Sequence, residues 1–125
     1  MKGDDIADRI EAYAASVLSV ILALPKNRVG KHIEDQLLRS GSAPGAHYSE
    51  ARSAQSRRDF VYKVSLAGKE MRESVYWLGL VKRSQLISGQ DISPIIQEGR
   101  ELTAILLSSA KTAGTGSSNQ VNRHL

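Results

Sequence analysis

The chain has 125 residues, enough for one hydrophobic core and therefore for a single domain. It contains no cysteine, which excludes disulfides, thiol chemistry and thiolate metal sites. The formal net charge is +4, and the basic excess lies between residues 26 and 83. A mildly basic centre is compatible with a nucleic-acid partner, but an ordinary solvated surface has the same character, and we favour that interpretation.

No apolar run in the sequence is long enough to cross a bilayer. The longest, from Val17 to Leu24, is interrupted by Ser19 and falls well short of the roughly 20 residues required. Three aspartates precede it where a secretory signal would carry lysine or arginine. The sequence therefore predicts a cytoplasmic protein with no membrane partner.

The first helix is predicted from about Asp4 to Leu24. Apolar residues recur in this segment at spacings of three and four, which gives the helix one apolar face. The aspartates in its first turns suit the positive end of the helix dipole. Pro25 and Asn27 end it.

The second helix is predicted to begin at Asn27 or Arg28. Asp35 and Arg39 lie four residues apart, a spacing at which opposite charges pair across a helical turn. From residue 41 to residue 46 the sequence reads Gly-Ser-Ala-Pro-Gly-Ala. By propensity alone, two glycines and Pro44 would end the helix there.

The third helix is predicted from Ser56 to about Arg83, with Ser56 as its N-cap. Asp59 and Lys63 form a second pair at the favourable spacing of four. One apolar stripe runs the length of the helix, and a second apolar edge lies beside it. Two apolar faces on one helix require a second covering surface, either within the subunit or across a subunit boundary. The second edge consists of Tyr62, Leu66, Tyr76, Trp77 and Leu80.

The fourth helix is predicted to be capped by Asp91 or Ser93 and to run to about Lys111. From Thr112 the sequence has almost nothing to bury, which is typical of a disordered tail. We therefore divide the chain into a bundle, residues 1–112, and a disordered C-terminal tail, residues 113–125. Four helices with short connections predict an all-α, antiparallel up-and-down bundle.

Three motifs resemble one bacterial family, named for proteins encoded in 23S rRNA intervening sequences. They are R-S-G-S-x-x-G-x-x-Y-x-E-A from Arg39, S-x-x-D-F-x-x-K-x-x-x-A-x-K-E-x-x-E from Ser56, and Y-W-L from Tyr76. The resemblance extends over roughly residues 6–110. The sequence departs from the family pattern at His47, where asparagine is usual, and at Pro44.

The resemblance implies a four-helix bundle whose second helix continues through the small-residue segment, kinked at Pro44, to about Gln55. It also implies a homopentamer with a central channel. Relatives in diversity-generating retroelements act as accessory proteins that bind nucleic acid and a reverse transcriptase, which we keep as an alternative function.

The sequence offers no convincing catalytic or metal site, and we expect neither an enzyme nor a cofactor. His47, Tyr48 and Glu50 are close in sequence, but no second histidine lies one turn away and a metal needs at least three converging ligands. Phosphate-binding loops, nucleophile elbows and the Glu-x-x-His motif are absent from the sequence.

The charged residues of the family motifs have mixed sign and helical spacing. This pattern favours paired charges at helix–helix and subunit boundaries over a binding surface. The members of this set are Glu50, Lys63, Lys69, Glu70 and Glu73.

We predict a homo-oligomeric scaffold or adaptor that engages an unidentified protein, with RNA binding as the alternative. The oligomer interface is expected at Gly41, Gly45, Tyr48, Tyr76, Trp77 and Leu80. Contacts to nucleic acid, in the alternative, are expected from Arg52, Arg57, Arg58, Lys82 and Arg83.

Overall fold

The computed structural model describes the backbone of residues 2–124 and the side chains of residues 3–115. Over this part of the chain the protein consists of four α-helices, each packed mainly against its neighbours in sequence, while α1 and α4 make a smaller contact. This arrangement is an up-and-down bundle, as predicted. The helices are α1 (Lys2–Ala23), α2 (Arg28–Arg52), α3 (Arg57–Arg83) and α4 (Ser93–His124).

Polar side chains cap the starts of α2 and α3. The Asn27 side chain accepts a hydrogen bond from the Gly30 backbone N–H at 2.9 Å, and the Ser56 hydroxyl accepts one from the Asp59 N–H at 3.0 Å. Each cap satisfies a backbone donor that has no partner within its helix. The predicted Ser56 cap is therefore confirmed.

The small-residue segment remains helical, because α2 continues through Pro44 and ends at Arg52, three residues before the predicted end at Gln55. Gly41 lies against the side chain of Val17, where a Cβ atom would approach to within 2.7 Å. The absence of a side chain at Gly41 thus lets α1 and α2 pack closely.

One apolar stripe from each helix forms the core. A single polar contact crosses it among the described residues: the Tyr13 and Ser74 hydroxyls are 2.6 Å apart. Ser74 also donates to the Met71 carbonyl, so Tyr13 is the donor in the pair. The largest fully buried side chains are those of Tyr13, Ile10, Leu37, Met71, Leu78, Leu102 and Leu106.

The fourth helix is longer than predicted. It passes the expected end at Lys111 and continues to His124. The segment after Lys111 contains no proline, and each glycine costs a helix only about 1 kcal/mol relative to alanine. The packed earlier turns of α4 can therefore extend as a helix into this segment. Residues 113–125 were predicted to form a disordered tail. The side chains of residues 116–125 lie outside the described part of the chain.

Candidate interaction surfaces

His47, Tyr48 and Glu50 make separate contacts rather than one cluster. The Tyr48 hydroxyl donates to the Gly3 carbonyl at 3.5 Å, and Glu50 accepts a hydrogen bond from Lys63 at 2.7 Å. His47 Nδ1 is buried without a hydrogen-bond partner. Among the residues that the structure describes, no group of three histidine, aspartate or glutamate side chains is placed to hold a metal ion.

An apolar surface lies on the flank of α2 that faces α3. We call it the α2–α3 surface and define it by Val29, Tyr76 and Trp77; Val29 lies one turn before His32 on α2. Tyr62 is also exposed, but it lies about 21 Å earlier on α3 and is not part of this surface. Tyr76 is 62 % exposed, and its ring meets Trp77 edge-on with centroids 5.1 Å apart. Trp77 also contacts the ring of His32 across the helix pair, at 5.7 Å. The exposed Tyr76 ring therefore belongs to a packed cluster of three rings.

Ion pairs connect α2 to α3 beside this surface. Arg39 reaches Glu70 at 2.6 Å and Glu73 at 2.5 Å, and Lys63 reaches Glu50 at 2.7 Å. The hydrogen bond from Lys63 holds the pKa of the Glu50 carboxyl below its usual value. Paired charges at a helix–helix boundary are thus confirmed for four of the five predicted residues, Glu50, Lys63, Glu70 and Glu73, whereas the fifth, Lys69, is exposed and makes no ion pair in the described part of the chain. The predicted partners of Arg39 and Lys63 within their own helices were wrong, because carboxylates on the facing helix lie closer.

A second apolar surface lies on the other flank of α2, toward α1. We call it the α1–α2 surface and define it by Leu18, Leu22 and Leu38. Leu22 is 77 % exposed. A groove of about 620 Å³ also lies between α1 and α2, lined mostly by small residues such as Ala14 and Gly45 but also by Glu11 and Arg52. Two separate apolar surfaces therefore flank one helix.

The six residues predicted for an oligomer interface divide between these two flanks. Gly41 packs on Val17 of α1, and Gly45 and Tyr48 line the α1–α2 groove. Tyr76 and Trp77 belong to the α2–α3 surface, and Leu80, one turn further along α3, is half-buried. The predicted residues thus do not form one continuous patch.

The residues predicted to contact nucleic acid are also separated. Arg52 is paired with Asp4 at 2.5 Å, and this hydrogen bond lowers the pKa of Asp4. Arg57 and Arg58 are exposed in the first turn of α3, whereas Lys82 and Arg83 lie in its last turn. At 1.5 Å per residue, the two ends of α3 are about 39 Å apart. These residues form two groups at opposite ends of the bundle.

The group at the end of α3 belongs to a cleft that the sequence did not reveal. Antiparallel packing of α3 and α4 brings Arg100 to the same side as Lys82 and Arg83, in a cleft of about 570 Å³. Arg100 comes 17 positions after Arg83 in the sequence, so only the antiparallel arrangement of the two helices could have pointed to it. We call this the α3–α4 cleft; its polar lining residues are Lys82, Arg83, Ser93, Gln97 and Arg100.

None of the helices, within the described part of the chain, carries an apolar stretch of membrane-spanning length.

A sequential, all-α four-helix bundle is the class of protein that the fold defines. Residues 5–108 match the 23S rRNA-intervening sequence protein family, and the chain belongs to that family. The resemblance drawn from the motifs is therefore confirmed.

A solved structure supports the same assignment. It is the crystal structure of a protein with unknown function from the S23 ribosomal protein family of Bacteroides thetaiotaomicron. The two chains are 33 % identical, and the similarity covers 90 % of this chain and 100 % of the other with a TM-score of 0.79. No curated protein matches the chain.

Proposed function

We propose that the protein is a non-enzymatic scaffold that assembles into a closed homo-oligomeric ring and recruits another protein. The observation that carries this proposal is the pair of apolar surfaces on the two flanks of α2. Tyr76 and Leu22, one from each surface, are both more than half exposed. Contiguous exposed apolar patches are typical of interaction sites in otherwise soluble domains.

Two different surfaces favour a head-to-tail contact, in which the α1–α2 surface of one copy meets the α2–α3 surface of the next. Such a heterologous contact generates a ring when the rotation between copies closes. The family resemblance implies five copies. The kink predicted at Pro44 would curve α2, the helix that both surfaces share.

Light scattering during size-exclusion chromatography tests the ring. We expect a mass of five times the 13.6 kDa chain. Leu22→Lys and Tyr76→Lys should each abolish the assembly while helicity is retained, because a charge would have to be desolvated at the contact. Ala104→Lys, at an exposed position on α4, is the matched control and should leave the mass unchanged. A monomer mass for the unmodified chain at micromolar concentration would refute the proposal.

Accessory RNA binding is the second candidate, and one observation favours it. Arg57 and Arg58 are exposed and reach no carboxylate among the described residues. A ring would repeat this pair in every copy and increase avidity without a new contact. Changing both arginines to glutamate should abolish RNA binding, which should also weaken steeply with salt. RNA binding that survives both the double substitution and high salt would refute phosphate contact through these arginines, and no measurable binding at low salt would exclude the candidate.

A further inference from the structure

The α3–α4 cleft is cationic without a carboxylate in its lining. Lys82 and Arg83 come from the last turn of α3, and Arg100 comes from α4. The other described grooves differ in this respect: Glu11 lines the one between α1 and α2, and Glu34 lines the one beneath Pro25. Like charges gathered around one concavity raise the local potential and attract an anion.

The arginines of the cleft also differ from those that hold the bundle together. Arg9, Arg39 and Arg52 each bind a carboxylate on another helix. Arg83 and Arg100 reach no carboxylate within the described part of the chain, so their guanidinium donors are free for a ligand. Guanidinium groups match the geometry of a phosphate and bind it through paired hydrogen bonds.

One carboxylate lies near the mouth of the cleft, and it is already engaged. Asp91 accepts a hydrogen bond from the Ser93 backbone N–H at 3.0 Å, and this bond is the main cause that lowers the pKa of Asp91. Lys82 donates to the Ser93 hydroxyl at 2.5 Å, which fixes the Lys82 ammonium group at the start of α4. Asp91 offsets only part of the charge of the three cations.

We propose that the α3–α4 cleft is a binding site for a phosphomonoester group. Three cations suit a dianion better than the single charge of a phosphodiester, and a phosphomonoester is mostly doubly charged above its second pKa of about 6. The cleft also has room for more than the phosphate: Ile96 lines it, and Gly79 leaves open space, since no atom lies within 4 Å of the point that a Cβ atom would occupy there. A terminal nucleotide therefore fits its chemistry and its size.

Phosphorus NMR of inorganic phosphate and of adenosine monophosphate tests the site on the full-length chain. Both resonances should broaden on addition of protein at about pH 8 and broaden much less at about pH 5, where the phosphate carries one charge. Adenosine, which lacks the phosphate, should show no binding in its proton resonances. A tighter interaction with adenosine monophosphate than with phosphate would assign the remaining space to the nucleoside. Equal affinities would confine the site to the phosphate. Adenosine binding as tightly as its monophosphate would overturn the proposal.

Two charge-matched double variants locate the binding. Arg83→Gln with Arg100→Gln should weaken phosphate binding by about tenfold or more, because two charge-assisted contacts are lost. Lys69→Gln with Arg72→Gln removes the same charge from exposed positions outside the cleft and should leave the affinity unchanged. Equal weakening by the two variants would show non-specific attraction and refute the site.

The source of the phosphate can be distinguished with RNA. A short RNA carrying a 5′-phosphate should bind more tightly than the same RNA with a 5′-hydroxyl if the cleft takes a chain terminus. Equal binding of the two RNAs, together with binding of adenosine monophosphate, would assign the cleft to a free nucleotide. Failure of phosphate and adenosine monophosphate to bind at millimolar concentration would overturn the proposal and leave the ring of the proposed function unaffected, since the cleft shares no residue with either apolar surface.

Discussion

The first turn of the second helix packs against the backbone carbonyl of Pro25, and Gly30 leaves room for that carbonyl because it has no side chain. A Cβ atom at Gly30 would lie 1.8 Å from the Pro25 oxygen, which is backbone and cannot rotate away. Asn27 holds the same turn by accepting from the Gly30 N–H. The connection between α1 and α2 therefore depends on a residue without a side chain.

Gly30→Ala is expected to lower the free energy of unfolding by about 3 kcal/mol, the upper part of the range for forced overpacking. Urea denaturation followed by circular dichroism measures the change. Gly79→Ala is the matched control: it is also a helical glycine, but nothing lies within 4 Å of its Cβ position. There alanine should stabilise the helix by about 0.5 to 1 kcal/mol. Similar effects of the two substitutions would contradict the close approach at Pro25.

Tyr13 is a buried titratable group, only 2 % exposed, and burial raises the pKa of its hydroxyl to about 12. The unfolded chain releases this proton near pH 10, the ordinary value, whereas the folded chain retains it for about two further pH units. The folded state thus binds more protons in this window, and stability falls as pH rises.

The free energy of unfolding is expected to decrease by about 3 kcal/mol between pH 10 and pH 12, from 1.36 kcal/mol for each unit of pKa difference. The contribution is fully present below pH 10. Tyr13→Phe removes the titrating group, so the difference between this variant and the unmodified chain isolates the effect from the other tyrosines and lysines. A constant difference across the window would show that Tyr13 does not titrate differently on unfolding.

Among the features of single residues, the partner of each charged side chain was the least predictable. Spacing favoured Asp35 for Arg39 and Asp59 for Lys63, yet both cations bind carboxylates on the facing helix. A pair within one helix contributes only about 0.2 to 0.5 kcal/mol, so the packing of α2 on α3 easily decides between alternatives. The spacing of residues within one helix does not predict how that helix packs against another.

Helices themselves were predictable because apolar periodicity and capping chemistry are local. The prediction placed α1 from Asp4 to Leu24 and α3 from Ser56 to Arg83, and each observed boundary lies within two residues. The end of α4 was missed because glycine and serine indicate a weak helix but supply no definite stop. The α3–α4 cleft was missed for a different reason: Arg100 joins it only through tertiary packing.

The last turns of α4 are expected to be dispensable for folding. Ala110 is the last buried apolar residue of the described chain, and nothing lies within 4 Å of a Cβ atom at Gly114. A chain ending at Lys111 should keep the melting temperature of the bundle and lose only the circular dichroism signal of the removed turns.

The control for this truncation is a chain ending at Ile105, which also removes the fully buried Leu106. Loss of a core leucine costs about 2 to 5 kcal/mol, so this shorter chain should be strongly destabilised. A chain ending at Lys111 that unfolds equally would show that residues beyond Lys111 contribute to the core.

At the scale of the whole molecule, a head-to-tail ring predicts a specific result when two defective variants are mixed. Leu22→Lys disables only the α1–α2 surface, and Tyr76→Lys disables only the α2–α3 surface. Each variant should be monomeric alone. Mixed in equal amounts, they should form a dimer that grows no further, because each copy retains one intact surface and the two intact surfaces are complementary.

Light scattering of the mixture at increasing concentration measures this outcome. A mass of two chains would support the head-to-tail contact. Self-complementary contacts would instead let each variant pair with its own copies through its intact surface, so each variant would be a dimer before mixing.

The sequential packing of the four helices also bears on how the chain acquires its structure. Since each helix packs mainly against its neighbours in sequence, most native contacts close short loops, and topologies of this kind fold in microseconds to milliseconds. During synthesis α1 and α2 can pair before α4 has left the ribosome, and α3 can then dock on α2. The contact of Arg9 with Glu98 and Glu101, which joins the first helix to the last, can form only after α4 has been made.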